Sequence, residues 1–401
     1  MRKTTVICIF LAALLAFPVF AEKMEMPALA IPTAASNGFG GTHVAYTDNV
    51  FALLVNPAAM MRVQQRSFFT LAPSVFNPQS TYDLVKPIVD MAQGDIGALG
   101  NAADVLSQKS EKIALGGELR EFPLSFAWVA NGFGFGLWNR VFVNANIRGL
   151  NIEANVYSDV MLPVGFAFKI LSLDHHSLDA GITLKPFARI KTQDQESITS
   201  LIGSTSDFID RLSVPLIVGG GVDAGLLYRW RNFFRLGVTF DDIYTRGMVV
   251  HNFVGEDKNN YYIPFTMNAG MAFDYKLAFL GFTLAADWRD LRNAFNQDDY
   301  TRRNTFLDIG VGFQLSFFDI IRLRVGVSDM LPSCGVGFDL GPCKIDLAYY
   351  GKEFGNEPGQ LSAAVAEVSI SIRPGAQKRD WPWTRRSVVG LFTGVEHIPA
   401  E

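Results

Sequence analysis

Apolar residues occupy every second position in segment after segment between residues 67 and 373. In 307–317, for example, the odd positions hold Leu, Ile, Val, Phe, Leu and Phe, while the even positions hold Asp, Gly, Gly, Gln and Ser. A period of two is that of a β-strand with one apolar face. A membrane-crossing helix needs about 20 consecutive apolar residues, and no such run follows residue 21. The pattern therefore predicts an all-β protein.

Composition and the placement of aromatic residues favour a membrane barrel over a soluble β-sandwich, whose strands also alternate. Hydrophobic residues make up 49% of the chain and charged residues only 18%, against about a quarter in ordinary soluble proteins. The apolar faces stay apolar along whole strands, and their ends carry aromatic residues, as the girdle of a membrane barrel does. The opposite faces hold Gly and mixed charge, which suits a filled polar lumen. We predict a transmembrane antiparallel β-barrel.

The sequence allows two interpretations of the number of strands. Alternating segments lie near 67–76, 122–130, 133–148, 151–159, 162–171, 179–191, 215–230, 233–242, 262–275, 278–289, 305–317, 320–329, 334–340, 343–351 and 363–373. That makes fifteen, whereas a single-chain bacterial barrel has an even number. Either two short segments form one bent strand, or a strand near 246–255 is missing from the set.

The segments outside the alternation define the domain organisation. Arg2 and Lys3 precede an apolar core that ends at Ala21, which is the pattern of a cleavable signal peptide. We therefore expect export and a location in the outer membrane. The predicted divisions are a signal peptide at 1–21, an N-terminal hatch at 22–66, the barrel at 67–373 with helical loop insertions near 83–108 and 196–212, and a periplasmic tail at 374–401. The two insertions are expected at the extracellular end, because periplasmic turns are short.

The stretch 36–62 carries the most specific motifs. It holds a Gly-rich run at Gly38, Gly40 and Gly41, then Ala45 to Asp48, then Asn56-Pro57-Ala58. These residues resemble the opening of FadL-type outer-membrane transporters, which pass long-chain fatty acids and other hydrophobic compounds. A spirochaete (treponemal) FadL-like subgroup is similar in length and layout. The tripeptide also has a purely local interpretation, a helix start with Asn56 as N-cap and Pro57 as the first helical residue.

The resemblance implies fourteen strands, a hatch inside the lumen and passive uptake of long-chain fatty acids or other hydrophobic compounds. The ligand or hatch residues that we expect are Asn56, Pro57, Ala58, Phe51, Leu54 and Phe39. The Asn56 side chain is suited to tie the hatch to the barrel wall, while Pro57 fixes the turn. The apolar hatch residues either pack on the wall or line a hydrophobic path. The expected partners are the bilayer and a hydrophobic small molecule.

A greasy compound would leave such a barrel through a gap between strands rather than through the polar lumen. Gly or Pro within a wall strand weakens the hydrogen-bond ladder. Pro123, Pro163 and Pro186 are the candidates for such a gap.

Two other classes of barrel remain alternatives. A surface barrel, such as an adhesin or a secretion-system scaffold, would have a sealed lumen and place its important residues in the extracellular loops. A diffusion porin would need an open channel, which the predicted hatch argues against.

The remaining residues suggest no other chemistry. None of the five His lies on a confidently predicted strand, no GxSxG elbow is present and no zinc spacing occurs, so we predict neither an enzyme nor a cofactor or metal. A net charge of −4 is too small to indicate nucleic acid as a partner. Cys334 and Cys343 either form a disulfide or remain two free thiols. Two cysteines in an exported protein favour a disulfide. A hairpin turn between them would instead place them out of register on neighbouring strands and too far apart to bond.

Overall fold

The computed structural model describes residues 23–29, 33–47, 49–63, 65–67, 69–83, 86, 113–121, 125–148, 151–197, 213–231, 233–277, 279–295 and 303–374. The predicted signal peptide and periplasmic tail therefore lie outside the described residues, apart from Pro374 of the tail. Most of the insertion near 83–108 and residues 198–212 also lie outside them.

Strands dominate the described residues. They are β1 Lys23–Glu25, β2 Gln65–Ser67, β3 Phe69–Phe76, β4 Ile113–Arg120, β5 Phe126–Ala130, β6 Phe133–Arg148, β7 Asn151–Met161, β8 Val164–Ser172, β9 His176–Ser197, β10 Pro215–Trp230, β11 Phe234–Asp241, β12 Thr245–Asn252, β13 Asn260–Ile263, β14 Thr266–Leu277, β15 Leu280–Trp288, β16 Ile309–Phe317, β17 Ile321–Ser328, β18 Leu331–Asp339, β19 Cys343–Glu353 and β20 Ser362–Ile372. The helices are short: α1 Ala34–Asn37, α2 Ala52–Val55, and the 3-10 helices η1 Pro57–Met61, η2 Leu291–Phe295 and η3 Thr305–Asp308. In the described part of the chain, no helix has the length and apolar character needed to cross a membrane.

The strands form a closed antiparallel barrel of fourteen wall strands, which confirms the predicted fold. Nine wall strands are single segments, and five consist of two segments in line, namely β2 with β3, β4 with β5, β7 with β8, β11 with β12 and β13 with β14. The barrel closes where β20 pairs with β3, with Val365 opposite Phe76. Three long connections, after β3, β9 and β15, lie at the same end, which we call the long-loop end. We call the opposite end the short-turn end.

The interrupted strands settle the strand count. The predicted segments 151–159 and 162–171 are one wall strand that breaks at Leu162 and Pro163. A strand near 246–255 does exist, as β12, but it continues the wall strand that starts as β11. Residues 113–120 were missed because two glycines in their middle blur the alternation. The helical insertion near 196–212 was misplaced at its start, since residues 196 and 197 extend β9 in its pairing with β7.

The two faces of the wall differ as the alternation predicts. Outward side chains such as Val325, Leu284 and Tyr349 are apolar and exposed. Inward side chains include buried ion pairs, for example Arg189 with Asp159 at 2.6 Å. A buried charge is tolerated when it is paired and hydrogen-bonded, so these pairs make a lumen filled with charged residues compatible with a folded barrel.

The candidate disulfide between Cys334 and Cys343 is not formed, and both cysteines are free. Cys334 lies opposite Tyr349 in the β18–β19 ladder, whereas Cys343 begins β19 opposite Ile372. The six residues from Cys343 to Tyr349 span about 20 Å of strand, beyond the reach of a disulfide.

Two free thiols give a simple expected result. Alkylation of denatured, purified residues 22–401 with a maleimide, without reductant, should add two adducts, as seen by intact mass. A chain that takes up adducts only after reduction would contradict the register of β18 and β19.

Candidate functional site

The hatch follows the inner wall of the barrel through an almost complete circuit. Asn37 Nδ2 donates to Glu367 Oε2 on β20 at 2.7 Å and to Tyr350 Oη on β19 at 3.0 Å. Gly40 N donates to Ser333 Oγ on β18 at 3.1 Å. From there the chain passes β17, β16, β15, β14, β11, β10, β9, β8 and β6 in this order. The hatch thus touches twelve wall strands in the reverse of their order in the chain.

Glycines on the inner face of the wall make this close approach possible. A Cβ on Gly181 would lie 2.4 Å from the Pro57 carbonyl carbon, and one on Gly312 would lie 2.1 Å from the Phe39 carbonyl oxygen. Both distances are shorter than any normal contact, so only glycine lets the hatch backbone lie against the wall. Several of these glycines face each other across the ladder, in the pairs Gly134 with Gly165, Gly181 with Gly225, Gly237 with Gly270 and Gly312 with Gly326.

Asn56 contacts both the hatch and the wall. Its Nδ2 donates to Val44 O at 2.8 Å within the hatch and to Leu226 O on β10 at 3.3 Å. Its Oδ1 accepts from Ala58 N at 3.1 Å, so it also caps η1, in which Pro57 is the first residue. The helix start suggested by the tripeptide is therefore present as a 3-10 turn. The Asn56 side chain is fully buried and all three of these contacts end on backbone atoms.

The apolar residues of the hatch fall into two groups. Phe51, Leu54 and Ala58 belong to a large buried cluster that includes Met60. The Phe51 ring lies 6.2 Å from that of Trp138 on β6. On the other side of the lumen, Phe39 packs on Tyr46 with ring centroids 5.4 Å apart, in a second cluster with alanines of β14 and β15.

A cavity of about 410 Å³ lies between these two groups and the wall. Phe39, Tyr46, Phe51, Leu54 and Val55 form its hatch side. Its opposite side is formed by wall strands and by the connection between β15 and β16, and it carries the basic residues Arg289, Arg303, Arg322, Arg324 and Lys344 and the acidic residues Asp241, Asp290 and Asp308. The cavity is thus apolar on one side and rich in cations on the other. Its volume falls in the range of small-molecule sites.

The cations of this cavity are held in place by carboxylates behind them. Arg324 lies 2.7 Å and Lys344 2.9 Å from Asp346, which itself does not line the cavity. Arg324 Nε also donates to Gln314 Oε1 at 2.8 Å. Arg324 and Lys344 are therefore fixed in position beside the cavity.

The titratable groups of the hatch and the loops are shifted mainly by burial. Burial lowers the pKa of His43, although the Asp287 carboxylate acts in the opposite direction. Burial likewise raises the pKa of Asp290 and of Asp308, both outside the wall strands. Burial therefore favours the neutral form of His43, which lines the cavity. No group of three or more side chains that could hold a metal ion occurs within the described ranges.

The prolines expected to weaken the wall come together in one place. Pro163 lies in the break between β7 and β8, and Pro186 lies opposite this break on β9. Leu162 N donates to Pro186 O at 3.0 Å, and Gly136 N donates to Pro163 O at 3.1 Å. The ladder is thus bent here but still bridged. Pro123 is outside the described residues.

The sequence predictions missed several residues of the site. Asn37 and Tyr46 anchor the hatch through hydrogen bonds to the wall, the latter by accepting from Gln314 Nε2 at 2.9 Å. The glycine pairs were noted only as part of a polar face. Glycines recur at inward positions of neighbouring strands, and this recurrence is the sequence signal that could have shown where the hatch lies against the wall.

Comparisons with known proteins give matches only among solved structures. No family model matches the sequence, and no curated protein does. The P. putida toluene transporter TodX aligns with a TM-score of 0.47 and 12% identity, over 87% of this chain and 99% of its own. The CymD monoaromatic hydrocarbon channel aligns with a TM-score of 0.45 and 14% identity, over 85% of this chain and 96% of its own. A Pseudomonas aeruginosa FadL homologue aligns with a TM-score of 0.44 and 13% identity, over 86% of this chain and 98% of its own.

Proposed function

We propose that this chain is a FadL-type outer-membrane transporter for the passive uptake of long-chain fatty acids or other hydrophobic compounds, gated by its hatch. The observation that carries the proposal is the cavity between the apolar hatch face and the cationic wall. A long-chain fatty acid has an apolar tail and an anionic head group. The tail matches Phe39, Phe51 and Leu54, and the carboxylate matches the positive charge of Arg324 and Lys344 on the opposite side of the cavity.

The architecture of the barrel supports a membrane location for this activity. The outer face is apolar, and the strands close on themselves without an edge. The short-turn end would face the periplasm and the long-loop end the outside. We also propose that the chain belongs to the spirochaete (treponemal) subgroup of FadL-like proteins.

Two contacts of the hatch support a role in gating. Its residues follow the inner wall from β20 to β6, and Phe51 and Leu54 belong both to the cavity lining and to the packed hatch core. A ligand tail that displaces either side chain would disturb the α2–η1 turn, in which Asn56 holds Val44, Ala58 and the wall together. Local rearrangement of this turn, rather than expulsion of the whole hatch, is the movement that we propose.

The first test is binding of a fluorescent long-chain fatty acid to the refolded barrel in detergent. We expect saturable binding, and we expect Asn56→Ala to weaken it about tenfold, or to leave binding intact but uncouple it from uptake. The substitution removes a buried amide that makes three hydrogen bonds, and loss of ~1.4 kcal/mol corresponds to a factor of ten.

Asn144→Ala is the matched control for this test. Asn144 is a buried wall asparagine whose side chain donates to Asn146 and does not line the cavity. It should bind the fatty acid like the parent protein. Equal effects of the two substitutions would show that Asn56 has no special part in gating.

Absence of binding by a barrel shown to be folded would contradict the transport proposal. The alternative, an adhesin or secretion-system scaffold, would then be favoured. The close fit of the hatch against twelve wall strands suits such a sealed barrel as well, so the binding measurement decides between the two.

A further inference from the structure

An arginine on β12 points to the outer face of the wall. Arg246 lies opposite Tyr262 of β13, and the next pair in this ladder is Gly247 opposite Tyr261. A Cβ on Gly247 would lie 2.6 Å from Ile217 Cγ2, and Ile217 and Tyr261 both belong to the buried cluster around the hatch. Gly247 and Tyr261 therefore face the lumen. Because side chains alternate along a strand, Arg246 and Tyr262 face outward.

The residues around Arg246 on the outer face are apolar. Met248 follows on β12 and lies opposite Val218 of β10, which is exposed. Toward the short-turn end, Leu236 of β11 is an exposed outward side chain of the same wall strand. A charge on the apolar face of a membrane barrel costs little only near the lipid head groups. We therefore expect Arg246 at the level of the head groups.

Two tyrosines hold the Arg246 side chain on this surface. Its guanidinium carbon lies 5.5 Å from the Tyr244 ring centre and 5.9 Å from that of Tyr262. Tyrosine is enriched where a membrane meets water. Within the described ranges, Arg246 forms no ion pair with a carboxylate. The guanidinium is thus positioned by aromatic rings, without a counter-charge from those residues.

A carboxylate lies in the same row of residues, two strands away. β1 pairs with β13 in parallel and places Glu25 opposite Tyr262. Tyr262 Oη donates to Glu25 Oε2 at 3.5 Å, in an exposed contact. Neighbouring strands are about 5 Å apart, so the backbones of Arg246 and Glu25 are separated by roughly 10 Å. Tyr262 lies between the two charged residues.

Arg246 and Glu25 border one cavity of about 730 Å³. Ile243, Phe265 and Phe295 also line this cavity, and Ile243 and Phe295 are 47% and 80% exposed. The cavity therefore combines a cation and an anion with apolar side chains on the outside of the barrel. Its volume is large enough for a small molecule or for the polar end of a larger one.

Two other carboxylates of this cavity are paired within the protein. Asp242 lies 2.9 Å from the Lys185 amine, and Asp308 lies 2.9 Å from the Arg303 guanidinium. Glu25 differs from them, because it is exposed and forms no ion pair with another described residue. Glu25 is therefore a carboxylate at which a cation from outside can bind.

A lipid that matches this arrangement has a phosphate and a primary ammonium in one head group, as phosphatidylethanolamine does. Guanidinium groups bind phosphate oxygens in a planar, two-point geometry, and an ammonium donates hydrogen bonds to a carboxylate. Two carbons join the phosphate oxygen to the ammonium, so the head group can lie across Tyr262 and reach Arg246 on one side and Glu25 on the other. Ile243 and Phe295 offer apolar surface to the acyl chains.

We propose that the outer face of β12, β13 and β1 binds one phosphatidylethanolamine molecule of the bilayer, with its phosphate on Arg246 and its ammonium on Glu25. This lipid is a resident of the barrel surface and not its cargo. The site goes beyond the proposed function, from which it takes only the location in a membrane.

Native mass spectrometry of refolded residues 22–401 in detergent tests the site. Dioleoyl phosphatidylethanolamine and dioleoyl phosphatidylglycerol would be titrated separately at equal concentrations. Both carry a phosphate and the same acyl chains, but phosphatidylglycerol has no ammonium. We expect the first molecule of phosphatidylethanolamine to bind about tenfold more tightly, because it adds a charge-assisted hydrogen bond to Glu25. Equal binding of the two lipids by the parent protein would overturn the proposal.

Two substitutions separate the two contacts. Arg246→Gln removes the phosphate ligand and should weaken the binding of each lipid by about tenfold. Glu25→Gln removes only the ammonium ligand, so it should abolish the preference for phosphatidylethanolamine without weakening the binding of phosphatidylglycerol. The assignment is wrong if Arg246→Gln binds both lipids like the parent, or if Glu25→Gln keeps the preference.

Lys258→Gln and Glu256→Gln are the matched controls. These two residues form an exposed ion pair in the connection between β12 and β13 and do not line the cavity. Both control proteins should bind the lipids like the parent, and every variant should keep the heat-modifiable band of a folded barrel on cold gels. If the controls lose as much binding as Arg246→Gln and Glu25→Gln, the lipids respond to general surface charge and the site does not exist.

Competition with lipid A tests the source of the phosphate. Lipid A carries phosphates without an attached ammonium, so we expect it to displace phosphatidylethanolamine poorly. Complete displacement by an equal concentration of lipid A would assign the phosphate site to lipid A and overturn our choice of lipid.

Zero-length cross-linking locates the ammonium. A water-soluble carbodiimide activates a carboxylate, and the amine of a bound phosphatidylethanolamine then displaces the urea and forms an amide. We expect peptide mapping to find the lipid amide on Glu25 in the parent and several-fold less of it in Arg246→Gln. Equal amounts of lipid amide on Glu25 and on the exposed Glu256 would mean random encounter and contradict a specific site.

The two proposals fail in distinguishable ways. A lipid preference that depends on Glu25, together with no saturable fatty-acid binding, would leave the lipid site and remove the transporter. Saturable fatty-acid binding by a barrel without this preference would leave the transporter and remove the lipid site.

Discussion

Gly181→Val is expected to unseat the hatch and make the barrel leaky. The new Cβ would lie 2.4 Å from the Pro57 carbonyl carbon and 2.6 Å from Ala58 N, and both are backbone atoms of η1 that no side-chain rotation moves away. Overpacking of this kind costs ~1–3 kcal/mol, which shifts the balance between seated and displaced hatch by roughly 5- to 150-fold. Single-channel conductance in planar bilayers should rise, and the amides of residues 52–61 should exchange faster with deuterium.

Ala224→Val is the matched control. Ala224 lies on β10 next to Gly225, which pairs with Gly181, but its side chain points to the outer face. The substitution adds the same kind of bulk at the same height without reaching the hatch. Conductance and hatch exchange should stay at the parent level. A leaky Ala224→Val barrel would mean that the wall, and not the hatch, had been damaged.

Glu367→Gln is expected to destabilise the whole barrel. Glu367 is almost fully buried, forms an ion pair with the equally buried Arg120, and accepts hydrogen bonds from Asn37 of the hatch and from Tyr350. Removing its charge leaves the Arg120 guanidinium buried without its main counter-charge. Breaking one side of a buried pair costs ~3–5 kcal/mol. The urea midpoint, followed by tryptophan fluorescence and by the loss of the heat-modifiable band on cold gels, should fall accordingly.

An exposed ion pair provides the contrast. Lys276 pairs with Asp319 at the short-turn end, where the side chains are 61% and 45% exposed. Water and salt screen such pairs, which are worth ~0–1 kcal/mol, so Lys276→Gln should leave the urea midpoint nearly unchanged. If Glu367→Gln and Lys276→Gln shift the urea midpoint equally, burial does not determine how much an ion pair of this barrel contributes to stability.

The period of two, together with the low charge content and the aromatic strand ends, was sufficient to predict the barrel, because one face of every wall strand is apolar along its length. It could not predict every interruption of a strand, since the one between β11 and β12 depends on long-range contacts. Asp242 adopts φ 55° between β11 and β12. Its N–H donates to Asp223 Oδ1 at 2.8 Å, and its Oδ1 accepts from Lys185 at 2.9 Å. Pro163 and Pro264 mark two further interruptions that the sequence does display.

The candidate site shows the same division between local and distant contacts. That Asn56 caps a turn beginning with Pro57 follows from three adjacent residues. Its bond to Leu226 joins residues 170 positions apart, and no spacing rule reaches that far. The lateral prolines were visible in the sequence, whereas the pairing of β1 with β13 joins segments that are more than 200 residues apart.

The reversed circuit of the hatch also determines how the molecule must assemble. Asn37, among the first described residues, has its partner on β20, 330 residues later and on the last described wall strand. An early segment of the described chain therefore completes its contacts only when a late one has been synthesised. Contacts of such high sequence separation slow folding. We therefore expect Asn37 to bind β20 late in folding, together with the closure of β20 onto β3.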